Sequence, residues 1–240
     1  MKIKQFRYSS DNLSYVIYGK NNEKEECAAI DGGATDKILD FIKKEGLDLK
    51  YVLNTHDHAD HTPGNSILLE KTGAKHISCD ELSKKRFFII GGEEVLVLST
   101  PGHTKDSITF HIKTENQNAL ITGDTLFNGT VGTCFTGDLD EFRISVKSLL
   151  NFPVGTLIYS GHDYVKANID FAKTIDPENN NFDTYMKSYD PQNVVSTLSD
   201  ELKVNPYLRF NDPSMIDIMK GRDLPVETEE ERWNSIMHVY

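Results

Sequence analysis

Three imidazoles and the carboxylate of Asp60 fall between residues 56 and 61 in the stretch Thr55-His56-Asp57-His58-Ala59-Asp60-His61-Thr62-Pro63-Gly64-Asn65, directly after the apolar run Tyr51-Val52-Leu53. Neutral imidazole and carboxylate are the usual nitrogen and oxygen ligands of a borderline-soft divalent metal. If the chain leaves a strand at Thr55 still extended, His56 and His58 share a side, because side chains in a strand repeat every second residue. Those two can grip one ion. Asp60 and His61 come where Pro63-Gly64 turns the chain, so they are free to point at a second position, and the pattern predicts a two-metal site.

Such a site needs more ligands than one loop holds, and three further segments offer them. His103 sits in Thr100-Pro101-Gly102-His103-Thr104, Asp124 follows Ala119-Leu120-Ile121-Thr122-Gly123, and His162 follows Leu157-Ile158-Tyr159-Ser160-Gly161. Each time an apolar run ends in Gly or Pro-Gly and then delivers one ligand, as loops along one rim of a sheet would. Five of the eight histidines fall at these positions. His76 and His111, in strand-like stretches, and His238, in the tail, lack any neighbouring ligand pattern and read as ordinary hydrogen-bonded side chains. The cluster from His56 to His61 does not read that way, since buried polar groups without a metal would each need a partner of their own.

Stepwise along the chain, residues 2 to 8 and 13 to 19 read as strands joined by a Ser-Ser-Asp-Asn turn, and Asn21-Asn22 with the charged run to Glu26 as a second turn. Cys27-Ala28-Ala29-Ile30 is a third strand ending in Asp31-Gly32-Gly33. A helix is predicted over 35–46, with Ile38, Leu39, Phe41 and Ile42 at helical spacing and Gly46 as its stop. Residues 49–55 form the strand that feeds the histidine loop, 65–72 a helix closed by Gly73, and 74–78 another strand. Asp80 to Arg86 reads as a polar segment covering an edge. Strands follow at 93–98, 107–112, 119–122 and 156–159, with helices at 139–150 and 165–174. Phe127 to Asp138, carrying Gly129, Gly132 and Gly137, reads as a loop beside Asp124; it lacks the spacing and Lys of a phosphate-binding P-loop. From Asp176-Pro177 onward the pattern turns helical: 182–189, 197–204, 214–219 and 228–237. These elements predict an α/β protein, an αββα sandwich over residues 1–175 with a small helical C-terminal domain over 176–240.

Composition narrows the function classes. A chain of 240 residues with 38% hydrophobic content buries a core without staples. Its formal net charge of -11 and pI near 5.2 argue against nucleic acid as partner, because that binding draws on Lys and Arg. No apolar run approaches the roughly 18 residues of a membrane span, and Met1-Lys2-Ile3-Lys4-Gln5 has no signal-peptide core, so a cytoplasmic protein is expected. Cys27, Cys79 and Cys134 are an odd number without paired spacing, which speaks against a disulfide framework. Cys134 has no histidine near it in sequence and reads as an inert small residue.

The motifs T-H-x-H-x-D-H-x-x-G-N at 55–65, T-P-G-H-T at 100–104, T-G-D-T-L-F at 122–127 and G-H-D-Y at 161–164 resemble those of the metallo-β-lactamase superfamily. Within it the chain resembles the glyoxalase II family, the hydroxyacylglutathione hydrolases: Ser196-Thr197-Leu198 followed by Asn205-Pro206-Tyr207-Leu208-Arg209 is similar to that family's tail. The resemblance implies His56, His58 and His103 on a first metal, Asp60, His61 and His162 on a second, and Asp124 bridging the two. It implies two divalent ions, zinc with iron or manganese as alternatives. Tyr164 matches a family tyrosine near the bound thiol-peptide. Asp163 replaces a commoner Glu, Thr133 occupies the place of a cation that pairs with a glutathione carboxylate, and Phe135 that of a common tyrosine. Met219-Lys220-Gly221-Arg222 matches the family's basic cluster only loosely, so the thioester chemistry carries over while the identity of the thiol is left open.

The expected activity is hydrolysis of a small-molecule thioester such as S-lactoylglutathione, with a hydroxide shared between two metals as nucleophile and Asp60 and Asp124 as the catalytic carboxylates. Thr133, Phe135 and Tyr164 are the expected substrate contacts, and a monomer or small homo-oligomer the expected assembly. Persulfide dioxygenase, lactonase and β-lactamase chemistry use similar ligands and are the alternatives within the fold. A metal-bound sensing module without turnover is the alternative from another class.

Overall fold

Alternation along the strands sets the layers. In the computed structural model, which describes residues 1–21 and 24–239, Tyr15 and Ile17 of one strand face a different core from Val16 between them, as a two-residue period requires. Strands β1 (Lys2–Tyr8), β2 (Asn12–Asn21), β3 (Lys24–Ile30), β4 (Asp48–Leu53) and β5 (Lys75–His76) form one sheet in that order. The second sheet has the order β13-β12-β9-β8-β7-β6, from β6 (Phe87–Ile90), β7 (Glu93–Ser99), β8 (Ile108–Lys113), β9 (Asn118–Gly123), β12 (Leu157–Ser160) and β13 (Ser196–Thr197). Tyr15, Ile17, Ile30 and Leu53 meet Phe88, Val97, Phe110 and Ile121 between the sheets. Val16, Cys27 and Ala29 pack outward on Ile38 and Ile42 of α1 (Thr35–Glu45) and Leu68 of α2 (Asn65–Thr72). Leu120 and Ile158 face outward to Phe142 and Val146 of α4 (Leu139–Leu149) and to Trp233 of α9 (Glu229–His238). The fold is an αββα sandwich, followed by α5 (Val165–Ile175), α6 (Asn181–Ser188), α7 (Leu198–Val204) and α8 (Pro213–Lys220) before α9.

Helix ends follow their local chemistry. Gly46 takes a left-handed φ of 68 and its N–H closes on Ile42 and Lys43, the stop that only glycine makes without strain. Thr197 and Thr228 open α7 and α9 with reciprocal capping boxes to Asp200 and Glu231.

Three segments depart from expectation. The polar segment Asp80 to Arg86, expected to cover an edge, is regular: Cys79–Lys85 is helix α3 beside edge strand β6, capped by Ser78 and laced by Lys84–Asp80 and Lys85–Glu81 ion pairs, and β6 follows at once. The short helix and the Gly91-Gly92 turn after β6 (φ 57 and 75) hid a hairpin whose apolar run is only four residues long. The loop at 127–138 begins with a hairpin, β10 (Leu126–Phe127) on β11 (Thr130–Val131). The tail also supplies a strand: β13 pairs antiparallel with β12 through Leu157↔Thr197 and Ile158↔Ser196. The turn expected at Asn21-Asn22 falls partly at residues 22 and 23, outside the described residues; β2 runs through Asn21 and β3 begins at Lys24.

Candidate metal centre

Parallel pairing of β9 with β12 places Gly123 opposite Ser160, and the Gly161 N–H donates to the Gly123 carbonyl at 2.8 Å. Asp124 and His162, the residues that follow, are thereby delivered side by side at one sheet rim. Glycine is required here: a Cβ on Gly161 would lie 2.2 Å from Asp124 Oδ1, and Gly123 combines a φ of 51 with a Cβ position 2.4 Å from the Thr55 hydroxyl. The loop after β4 brings His56, His58, Asp60 and His61 to the same rim, and the turn after β7 brings His103.

All seven predicted ligands converge there, in overlapping groups. His58 Nδ1 lies 3.0 Å from His56 Nε2 and 3.1 Å from His103 Nε2. His61 Nε2 lies 3.2 Å from His162 Nε2, and Asp60 Oδ2 is 3.3 Å from His162 Nε2 and 3.6 Å from His61 Nε2. Asp124 sits between the two groups. Its Oδ2 is 3.5 Å from His103 Nε2, 3.5 Å from His162 Nε2 and 3.9 Å from His56 Nε2, while Oδ1 is 3.5 Å from His61 Nε2.

A second layer fixes which nitrogen each ring presents. Buried Asp31 accepts from the Thr55 N–H and hydroxyl, both at 2.8 Å, and takes His61 Nδ1 at 3.0 Å. Asp11 Oδ1 takes His162 Nδ1 at 2.8 Å, the Thr133 carbonyl takes His103 Nδ1 at 2.9 Å, and Asn12 donates to Asp60 Oδ2 at 2.9 Å. These bonds leave the Nε2 atoms of His61, His103 and His162 facing inward. Asp11, Asn12 and Asp31 were not singled out in the sequence, although Asp31-Gly32 closes an apolar strand just as the ligand-bearing loops do.

The electrostatics call for positive charge at the centre. Burial pushes His56 down to about 4 and lowers His103, so both are neutral imidazoles at pH 7. Burial also works against charge on His61, but the carboxylates of Asp31 and Asp124 overcome it and hold that ring up at about 11. Asp124, despite burial, is held well below the usual carboxylate range by His162 and His61. Its buried Oδ1 has no hydrogen-bond partner. An orphaned carboxylate oxygen aimed at converging imidazoles fits a divalent cation, and tetrahedral nitrogen ligands of zinc lie roughly 3.3 Å apart, close to the spacings here.

Of the remaining histidines, His111 Nε2 pairs with Asn118 Oδ1 at 2.9 Å, His76 Nε2 lies 3.4 Å from Asn54 Oδ1, and His238 Nδ1 is 2.5 Å from the Asn234 carbonyl. Phe135 is 66% exposed and sets its ring edge-on to His58 and His103, with centroids 5.8 and 5.2 Å away. Tyr164 stacks on His162 at 4.8 Å with ring planes 8° apart. Thr133 and Tyr164 line a cavity of about 390 Å³ beside the centre, with Phe127, Val131, Tyr207 and Met237 among the other walls.

The Metallo-beta-lactamase superfamily pattern matches residues 11–87 and 82–162, and the pattern described as Hydroxyacylglutathione hydrolase C-terminus matches 163–233. A hydroxyacylglutathione hydrolase of Polaromonas sp. is 36% identical over 238 residues, covering 91% of this chain and 89% of that one. The chain belongs to the hydroxyacylglutathione hydrolase family. The relative from Idiomarina loihiensis is 30% identical over 231 residues, 90% of this chain and 89% of its own. Among solved structures, ETHE1 from Myxococcus xanthus superposes with a TM-score of 0.64 at 25% identity, over 94% of this chain and 92% of that one. Membership in the hydroxyacylglutathione hydrolase family makes this protein a metal-dependent hydrolase.

Proposed function

We propose that this protein hydrolyses a small-molecule thioester of the S-lactoylglutathione type at a two-metal centre, with zinc as the resident metal. The observation that carries the reading is Asp124, whose Oδ2 lies within 3.5 to 3.9 Å of ring nitrogens from both histidine groups. His56, His58 and His103 would hold one ion, Asp60, His61 and His162 the other, and Asp124 would bridge. When bound, such ions lower the pKa of coordinated water and polarise a carbonyl.

The chain's own groups do the rest. Asn12 donates to Oδ2 of Asp60 and holds that half-exposed carboxylate beside His61 and His162, where it can orient an attacking water by accepting a hydrogen bond from it. Asp31 and Asp11 hold His61 and His162 against rotation, so the Nε2 atoms stay fixed through turnover. The Tyr164 phenol, pushed up to about 12 by burial and by the Asp11 carboxylate, stays protonated and directs its O–H to Asp11, which in turn holds His162. Phe135 and Tyr164 flank the centre with aromatic surface. A thiol leaves as thiolate with an ordinary pKa of about 8.5, so no strong protein acid is required. The three unpaired cysteines suit the reducing cytoplasm as the working compartment.

The test is metal analysis of purified protein together with a panel of S-lactoylglutathione, other thioesters, a lactone and a persulfide. Two metals per chain and thioester turnover that a chelator abolishes are expected. Oxygen consumption with the persulfide, or lactone cleavage without thioester cleavage, would overturn the assignment.

A further inference from the structure

The cavity beside the metal centre has an unusual chemistry for a site that takes an acyl-thiol. It touches the centre at two histidines: Tyr164 stacks on His162, Phe127 lies edge-on to His162 at 5.9 Å, and the carbonyl of Thr133 holds His103. A thioester with its carbonyl at the histidine cluster can lay its leaving thiol in this adjoining cavity. Among the described residues no Asp, Glu, Lys or Arg lines it; its polar groups are uncharged, the side chains of Thr130, Thr133, Cys134, Asn168, the phenols of Tyr164 and Tyr207 and the ring of His238.

Five cations of α4 and the C-terminal segment are held by other groups. Arg143 and Lys147 on α4 both hold Glu229 at 2.6 Å. Arg209 is taken by Asp176 and Asp212 at 2.7 and 3.1 Å, Arg222 by the carbonyls of Thr174 and Ile175, and Arg232 by Asn211 and the Val226 carbonyl. Lys166 follows Tyr164 on α5 by two residues, about 200° round the helix from the cavity-lining face. A glutathione tail carries two carboxylates and one ammonium. Burying carboxylates against uncharged walls in a protein of net charge -11 costs affinity, because charge-assisted bonds are the ones that offset their desolvation.

We propose, on the basis of the thioester reading above, that the leaving thiol of the natural substrate carries no net negative charge: a neutral thiol whose polar groups are amide or hydroxyl, which Thr130, Thr133 and Asn168 can pair. Aromatic and aliphatic walls from Phe127, Val131, Leu139 and Tyr207 enclose its carbon skeleton. Thr133, at the join between cavity and His103, is the specificity-determining position.

One acyl group on three thiols tests this with the metal-loaded protein: S-lactoylglutathione, its diethyl ester, and the lactoyl thioester of N-acetylcysteamine. The two uncharged-carboxyl substrates are expected to exceed S-lactoylglutathione at least tenfold in kcat/KM, and Thr133→Arg to shrink that ratio. Equilibrium binding gives a readout separate from turnover, with S-methylglutathione diethyl ester expected to bind more tightly than S-methylglutathione itself. S-lactoylglutathione turning over as fast as its diethyl ester, or the two S-methyl compounds binding equally, would overturn the neutral-carrier proposal and leave the thioester reading intact. Turnover of none of the three would overturn both.

Discussion

The metal centre and the cavity beside it share a rim of the sandwich, yet they are built in opposite ways. The centre is made of charged and titratable side chains, five of the seven buried, and three of its rings are held by a second side chain or carbonyl: Asp31 on His61, Asp11 on His162, Thr133 on His103. The cavity wall is uncharged, and its position depends on the tail. Fully buried Glu201 of α7 accepts from the Gly129 N–H, the Tyr185 and Ser196 hydroxyls and the Asn205 amide, and that amide also donates to the Thr130 carbonyl. The histidine cluster is thus fixed by electrostatic bracing within the sandwich, and the cavity wall by a loop that the helical tail pins from outside. One half can be damaged without the other.

The largest separation should come from Asp124→Ala. Removing the carboxylate between the two histidine groups is expected to lower kcat/KM by on the order of 10³-fold or more, with loss of bound metal in elemental analysis; retained metal and activity would end the two-metal assignment. Glu201→Ala should do the reverse. It orphans four donors and is expected to cost about 3 kcal/mol in urea unfolding, while the folded fraction keeps its metal; a loss below 1 kcal/mol, taken as roughly one lost hydrogen bond, would show that the tail does not hold the loop.

Asp31→Asn is a finer cut at the centre. It keeps the volume but turns an amide toward His61, and metal affinity by competitive chelation should fall roughly 10- to 100-fold. An unchanged affinity would make Asp31 a purely structural link to Thr55.

The smallest effect is expected where α9 is tied to α4. Hydrogen bonds from Lys147 and Arg143 hold the Glu229 carboxyl below the usual glutamate value. A carboxyl depressed in the folded state stabilises it above the unfolded value, and that contribution fades as pH falls through the lower folded value. Because the pair is partly solvated it is worth less than about 1 kcal/mol. Glu229→Gln should therefore lower thermal stability slightly at neutral pH and converge with the parent protein in acid.

How much of this could be read in advance differs between the two halves. Ligand types announce themselves: His and Asp at the ends of apolar runs carry their chemistry in their identity, and all seven meet. Asp31 escaped notice because a lone Asp-Gly after a strand is also an ordinary turn, and only proximity to His61, thirty positions away in the chain, distinguishes it. Asp11 and Asn12 read as turn residues for the same reason. The cavity gave still less warning, since Phe127, Val131, Tyr207 and Met237 are indistinguishable in sequence from core residues. Helix α3 and strand β6 were missed because a seven-residue helix and a four-residue strand are too short for a period to show.

By itself the sequence determined which His and Asp side chains are candidates for the centre, the alternating strands and the helix stops, because each is written in neighbours a few positions apart. Tertiary structure decided that Asp124 lies between two histidine groups, through the register that sets Gly123 opposite Ser160, and that Tyr207 and the end of α9 wall an uncharged cavity beside the rim. Those outcomes depend on which strands pair and which faces pack, and long-range pairing leaves no local periodicity from which to read it.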